Sequence, residues 1–167
     1  TEQKPSFHIK VDTGMNRQGF YISEVDDVIK TIRSYKAEAL MEGAYTHFAS
    51  AKDINYPTFT DLQFHAFKKA VTQFTDAGFT HCMFHAASTG ATLINSEYHS
   101  DAVRIGAGLY GLWSSRELEM QLGNKLTFKP VLSWRSVVSE VKDVPKGAYI
   151  GYDLVERTTK NVRMAIV

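Results

Sequence analysis

Phe7-His-Ile-Lys-Val-Asp-Thr-Gly-Met-Asn-Arg-Gln-Gly19 reads as a short strand that runs into a polar loop. The β-rich run Phe7–Val11 is closed by Asp12-Thr13-Gly14, residue types that turn the backbone back on their own side chains or supply positive φ. Outward from this stretch, strand and helix alternate. Ser23 opens a helix, with Asp26 placed to complete a capping box and Val25, Val28, Ile29 and Ile32 on one face. Gly43–Ala49 is the next strand. Thr60-Asp-Leu-Gln63 spells a second capping box, followed by a helix marked by Leu62, Ala66, Phe67, Ala70, Val71 and Phe74. Gly78 suits the C′ position of that helix. Phe79–His85 reads as a third strand, residues from about Ala91 to His99 as a shorter helix, and Ala102–Gly106 as a fourth strand leading into Ala107-Gly-Leu-Tyr-Gly111. Four strands separated by helices predict parallel β-α units, in a barrel or a doubly wound sheet.

The pattern changes near residue 113. Ser114–Lys129 is polar and loop-like, and Val131–Lys142 then alternates as a long half-buried strand. Pro145-Lys-Gly147 is a turn, with further strands expected at Ala148–Tyr152 and Val162–Val167. The expected organisation is therefore a β-α region over 1–113, a linker over 114–130 and the start of a mainly β domain over 131–167.

Composition sets the outer bounds. The 167 residues carry 19 Lys+Arg against 18 Asp+Glu, a net charge of +1 that offers no electrostatic footprint for nucleic acid. No stretch approaches the ~18 consecutive apolar residues of a membrane span. Thr1-Glu-Gln-Lys-Pro5 lacks the apolar core of a signal peptide, so a cytoplasmic protein is expected. The single cysteine, Cys82, excludes an internal disulfide or a multi-thiolate zinc site within this sequence, and its mid-strand position predicts a buried, inert thiol. The first residue is not Met and the last residues are an apolar run, so both ends are expected to be cut from a longer chain.

In parallel β-α architectures the reactive side chains gather at the C-terminal ends of the strands. Here those positions hold Lys10 and Arg17, His47 and Ser50, Ser88 and Thr89, and Arg104 before Gly106-Ala107-Gly108. Hydroxyls and close-packed N–H groups beside small residues suit a phosphate. His81, His85 and His99 show no metal-ligand spacing, so no metal site is expected and they are read as structural or surface groups.

The motifs themselves say more. His8-Ile-Lys-Val-Asp-Thr-Gly-Met-Asn-Arg-Gln-Gly19 resembles the His-x-Lys-x-Asp-Thr-Gly-Met-x-Arg-x-Gly signature of alanine racemases. Tyr45–Asp53, His85-Ala-Ala-Ser-Thr-Gly90, Val103–Gly111 and Lys129-Pro-Val-Leu-Ser-Trp134 resemble later motifs of the same family, in family order. The resemblance implies the C-terminal half of a (β/α)₈ TIM barrel followed by the start of a mainly β domain. It implies the cofactor pyridoxal 5′-phosphate (PLP), alanine as the substrate interconverted between its L and D forms for cell-wall precursors, and a homodimeric full-length enzyme. Serine is the alternative substrate, and a non-catalytic PLP-binding barrel the alternative from another class.

Residue by residue, the resemblance assigns His47 to the pyridine ring, and Ser88, Thr89, Gly106 and Ala107 to the phosphate. Arg104 falls to the pyridine nitrogen. An arginine there is a permanent cation that only donates, so it keeps the nitrogen neutral and the electron sink weak, whereas decarboxylases of this type commonly use a carboxylate. Tyr152 matches the family's tyrosine base, although Asp153 stands where glycine is usual, and Tyr149 is the alternative phenol. Arg17 resembles the arginine that contacts the tyrosine and cofactor oxygen, and Lys10 a lysine carbamylated in many members. The PLP-bearing lysine and a second tyrosine, given to the partner subunit, would lie before Thr1 and after Val167. The chain alone is therefore expected to be inactive.

Overall fold

The computed structural model describes residues 4–167, which form two compact units, one reaching Val131 and the other spanning Leu132–Val167. In the first unit β1 (Phe7–Asp12) runs through the Thr13–Gly19 loop into a two-residue strand β2 (Phe20–Tyr21). A 3₁₀ turn leads to α1 (Val25–Ser34), then β3 (Met41–Tyr45), α2 (Thr58–Asp76), β4 (Met83–Ser88), α3 (Thr89–Ile94) and β5 (Ala102–Arg104). The five strands make one sheet in the order β2-β1-β3-β4-β5, and every neighbouring pair is parallel. The parallel β-α reading therefore holds.

Side chains alternate across each strand, and the two faces differ in chemistry. Val11, Ala44, Phe84 and Ala86 are buried in one core with Val25, Val28, Ile29 and Ile32 of α1 and Phe64, Phe67, Ala70 and Phe74 of α2. The opposite face carries polar rows in register: Lys10 pairs with Tyr45, and Tyr45 with His85. Amphipathic helices cover one side of the sheet, and the other side keeps its charged and aromatic groups.

Several local expectations need correction. β2 is an addition that its two residues were too few to announce. It docks on β1 because Gly19 has φ +113 and lies so close that a Cβ there would fall 2.8 Å from the Lys10 carbonyl oxygen. Ser23 and Asp26 do not form a capping box; the Tyr21 N–H donates to the Glu24 carboxylate at 2.7 Å, and α1 starts at Val25. Thr60 and Gln63 do not cap α2 either, because Pro57 sets its start earlier. Their side chains instead reach the segment after β3: the Thr60 hydroxyl donates to the Ser50 carbonyl (2.7 Å) and Gln63 Oε1 accepts from the Ala49 N–H (2.9 Å). Phe79 and Cys82 are buried but precede the strand, which begins at Met83. Gly78 takes φ +93 just past α2, as expected of a C′ glycine.

Residues 114–129 are not all loop. α4 (Arg116–Leu122) starts behind Ser115, whose hydroxyl accepts from the Leu118 N–H at 3.2 Å and donates to the Lys52 carbonyl at 2.7 Å. With Leu118 as its one buried residue, α4 shows almost no hydrophobic period; the Ser115 cap and the first-turn Glu117 and Glu119 are its only sequence signals.

The second unit holds two antiparallel pairs: β6 (Glu140–Val144) with β9 (Val162–Ile166), and β7 (Tyr149–Ile150) with β8 (Glu156–Arg157). The long strand expected from Val131 forms only from Glu140 onward. Leu132, Trp134 and Val137 are exposed, and among the described residues the alternating pattern meets β9 only at Ser139, whose N–H donates to the Ile166 carbonyl at 2.7 Å.

Candidate active site

Arg104, the last residue of β5, is the centre of the polar face. Its Nη1 donates to His85 Nδ1 and to the His85 carbonyl (3.2 Å); its Nη2 donates to the carbonyls of Thr46 (2.7 Å) and Ala86 (3.0 Å). His47 Nδ1 lies 3.4 Å from the same Nη2, and the guanidinium sits over the Tyr45 ring at 5.1 Å. One side chain thus ties the ends of β3, β4 and β5 together. Both Nη groups are committed, which leaves the Nε–H as the donor available to a ligand.

Arginine only donates, so His85 Nδ1 must accept and its proton resides on Nε2. That N–H then donates to His8 Nδ1 at 3.1 Å, while the Tyr45 ring stacks on His85 with 2° between planes. Burial, then the Arg104 and His8 charges, push the His85 pKa down to about 4, against a smaller opposing effect of Asp101. His85 is therefore not a surface residue but the neutral group that orients Arg104. The signal was available: His8, Lys10 and Asp12 share one face of β1 at a period of two, as Tyr45 and His47 do at β3 and its end.

This neutral histidine sets a pH dependence. The unfolded chain takes up a proton near 6.5 and the folded one only near 4, so the unfolded state binds more protons in between. Stability is expected to fall as pH drops through that window and to be regained above it, seen as a lower urea midpoint at about pH 5 than at about pH 7. The difference should shrink in His85→Gln. Asp12 adds a loss only at more acid pH, because its carboxyl is held below its ordinary 3.8.

Asp12 also shapes the loop that carries Arg17. Its Oδ1 accepts from the N–H groups of Gly14 (2.9 Å), Met15 (3.0 Å) and Asn16 (3.1 Å), and its Oδ2 from that of Arg17 (3.1 Å). Burial raises its pKa, but these four hydrogen bonds outweigh burial. Lys10 lies on the same face of β1. Its Nζ is buried with no hydrogen-bond partner, and burial followed by the Arg17 charge lowers its pKa, with Asp12 opposing. Burial and then the charges of Arg104, Arg17 and Lys10 likewise lower that of His47. Four cationic or ionisable groups thus converge with one fully bonded carboxylate. Such a cluster suits an anionic or electron-rich ligand.

Beside it, the Thr89 hydroxyl accepts from the N–H groups of Gly106 (3.1 Å) and Gly108 (3.3 Å). A Cβ on Gly108 would come within 2.9 Å of Thr89 Cγ2, so glycine permits this approach; on Gly106 it would meet nothing within 4 Å. The Ser88 carbonyl accepts from the Thr92 hydroxyl at 2.9 Å, and Ala107 opens the 3₁₀ turn to Tyr110. The structure thus brings together Lys10, Arg17, His47, Ser88, Thr89, Arg104, Gly106 and Ala107 on the first unit. Tyr152 belongs to the second unit, where it is 94% exposed beyond Gly151 (φ +76). Tyr149 is on β7 with the Arg157 guanidinium 5.3 Å from its ring. Cys82 is buried, and burial pushes its thiol pKa up. Among the described residues no three His, Cys, Asp or Glu side chains are placed to hold a metal, and no helix is long and apolar enough to cross a membrane.

The first unit is thus a parallel α/β sheet with a cationic cluster and a hydroxyl-glycine pair at its strand ends, where such folds carry their sites. Residues 1–114 match the family of the alanine racemase N-terminal domain, and the chain belongs to that family. The first unit is accordingly part of a (β/α)₈ TIM barrel, with the start of a mainly β region after it. An alanine racemase of Leptospira interrogans is 32% identical over 98% of this chain and 42% of its own length. The crystal structure of alanine racemase from Bacillus anthracis with bound L-Ala-P superposes with a TM-score of 0.76 at 31% identity, covering 96% of this chain and 41% of that one. That from Bartonella henselae, with covalently bound pyridoxal phosphate, gives a TM-score of 0.67 at 25% identity over 96% of this chain and 42% of that one. The chain thus spans about two-fifths of the length of the relatives it matches.

Proposed function

We propose that the protein containing this chain is a PLP-dependent alanine racemase, and that this segment supplies most of the cofactor cradle and one of two bases. The observation that carries the reading is Arg104: both its Nη groups are spent on strand carbonyls and His85, leaving the Nε–H as its free donor. The residues fit the cofactor, because a free Arg104 donor, the Thr89 hydroxyl and open space at Gly106 occur at the C-terminal ends of β4 and β5. PLP, when bound, supplies the electron sink that makes Cα–H acidic.

The chain's own residues do the rest. Arg104 would offer the pyridine nitrogen a donor that does not give up its proton, which would keep that sink weak. Neutral His47 lies against the ring. Thr89, Ser88 and the backbone of Gly106 and Ala107 hold the phosphate. Arg17, on the loop shaped by Asp12, supplies a fixed positive charge at the strand ends, and Tyr152 is the phenol that moves a proton to or from Cα at its Oη. Lys10, buried and without a partner, is the site for carbamylation, which would turn a third cation into the counter-ion of Arg17. The PLP-bearing lysine lies outside this sequence, so this segment alone does not racemise. The reading includes a cytoplasmic homodimer making D-alanine for the cell wall, with domains at 1–113 and 131–167 joined by 114–130.

The cradle is tested directly by Thr89→Val, which strands the Gly106 and Gly108 N–H groups. PLP affinity of the full-length apoprotein, followed by absorbance titration, is expected to fall about tenfold, with Thr89→Ser near wild type. Equal affinity in all three proteins would remove Thr89 from the phosphate site.

A further inference from the structure

Gln63 is a buried amide that the assigned roles leave unused. It sits on α2 with 1% of its surface exposed, where an apolar residue would be the ordinary choice. Its Oε1 accepts from the N–H of Ala49, two residues beyond His47, at 2.9 Å. Its Nε2 donates to the Thr13 hydroxyl at 3.5 Å, in the loop that ends at Arg17. The Thr13 hydroxyl shares a 2.7 Å hydrogen bond with that of Thr46, which is fully buried, and the Thr46 carbonyl accepts from Arg104 at 2.7 Å. A single helix side chain is thereby linked to the segments that carry Arg17, His47 and Arg104.

The cost of such a network explains its form. A buried amide left unbonded at either end loses its hydration without compensation, so Gln63 holds Ala49 and Thr13 at fixed separation only while both loops are in place. β1 and β3 are neighbours in the sheet, but their bonded register stops at Lys10 and Tyr45. Beyond that point the Thr13–Thr46 contact and Gln63 take over the tie between the two strand ends.

We propose that Gln63 is a positioning residue that locks the Arg17 loop to the His47 strand end through Thr13 and Thr46. Its role in turnover rests on the racemase reading above; the mechanical coupling does not. A misplacement of one ångström in a reacting group costs up to ~100-fold in rate.

The test uses the full-length PLP-loaded protein and hydrogen–deuterium exchange read by mass spectrometry, with steady-state kinetics beside it. In Gln63→Met, exchange in the peptides spanning 13–17 and 46–49 is expected to rise together, by about tenfold, the equivalent of one lost buried hydrogen bond. Thr13→Val, at a half-buried position, should reproduce the paired rise, and Thr13→Ser, which keeps the hydroxyl, should leave exchange at the wild-type level. In Gln63→Met and Thr13→Val kcat for alanine should fall ~10- to 100-fold with KM little changed. A rise confined to one of the two segments, no rise in either, or unchanged kcat in a variant with the paired rise would overturn the proposal. A wild-type protein without racemase activity would remove the proposed function, and the exchange pattern would still decide the coupling.

Discussion

In the full-length protein, Arg104→Lys is expected to lower kcat/KM for alanine by about a hundredfold or more and to weaken PLP binding at the same time. Three features of the structure give the direction. Lysine is a point charge with no planar fork, so it cannot serve the Thr46, His85 and Ala86 carbonyls as Arg104 does with its two Nη groups. Each carbonyl left without a partner costs about 1–3 kcal/mol, so the urea midpoint should fall as well. Finally, an ammonium that serves the strand ends has no second donor fixed in the Nε direction, and it can hand over its proton where a guanidinium cannot. The measurement is a chiral assay of D-alanine formation together with a PLP titration. An Arg104→Lys protein with wild-type affinity and turnover would show that neither the tie nor the donor matters.

Tyr152→Phe carries the second large effect. Removing one of two bases is expected to cut racemisation by about 10²- to 10⁴-fold. Because L- and D-alanine have equal free energy, kcat/KM must fall by the same factor in both directions, and the rates alone cannot assign a face. Solvent deuterium can. In D₂O, exchange of the Cα hydrogen into recovered starting material should be lost for one enantiomer and kept for the other, since the remaining base still works on its own face. Loss of exchange for both enantiomers, or for neither, would take Tyr152 out of the role and return attention to Tyr149 of β7, whose ring faces Arg157 of β8.

The comparison of sequence and structure is instructive residue by residue. Lys10, Arg17, His47, Thr89 and Arg104 were legible because parallel strands project their last residues toward one end, and those positions hold polar groups that the strand cores do not need. The helices α1 and α2 were legible from their apolar period. Gln63 was misread, because Thr-x-x-Gln is written the same way whether it caps a helix or bonds a neighbouring loop; only tertiary contact separates the two. His85 reads as structural or surface from sequence, because a histidine flanked by Phe84 and Ala86 gives no sign of its tie to Arg104 until its register against Tyr45 is known. α4 and β2 were too short to show a period at all. Val131–Ser139 shows the converse error: alternation describes a strand only when a partner strand exists to meet it.

The family assignment and the fold leave one question that decides the account, which is whether the cationic face around Arg104 serves alanine. Incubation of the full-length protein with PLP and L-alanine, followed by chiral separation, answers it most directly. D-alanine is expected to accumulate to a one-to-one mixture. PLP demonstrably bound, with neither alanine nor serine converted, would contradict it.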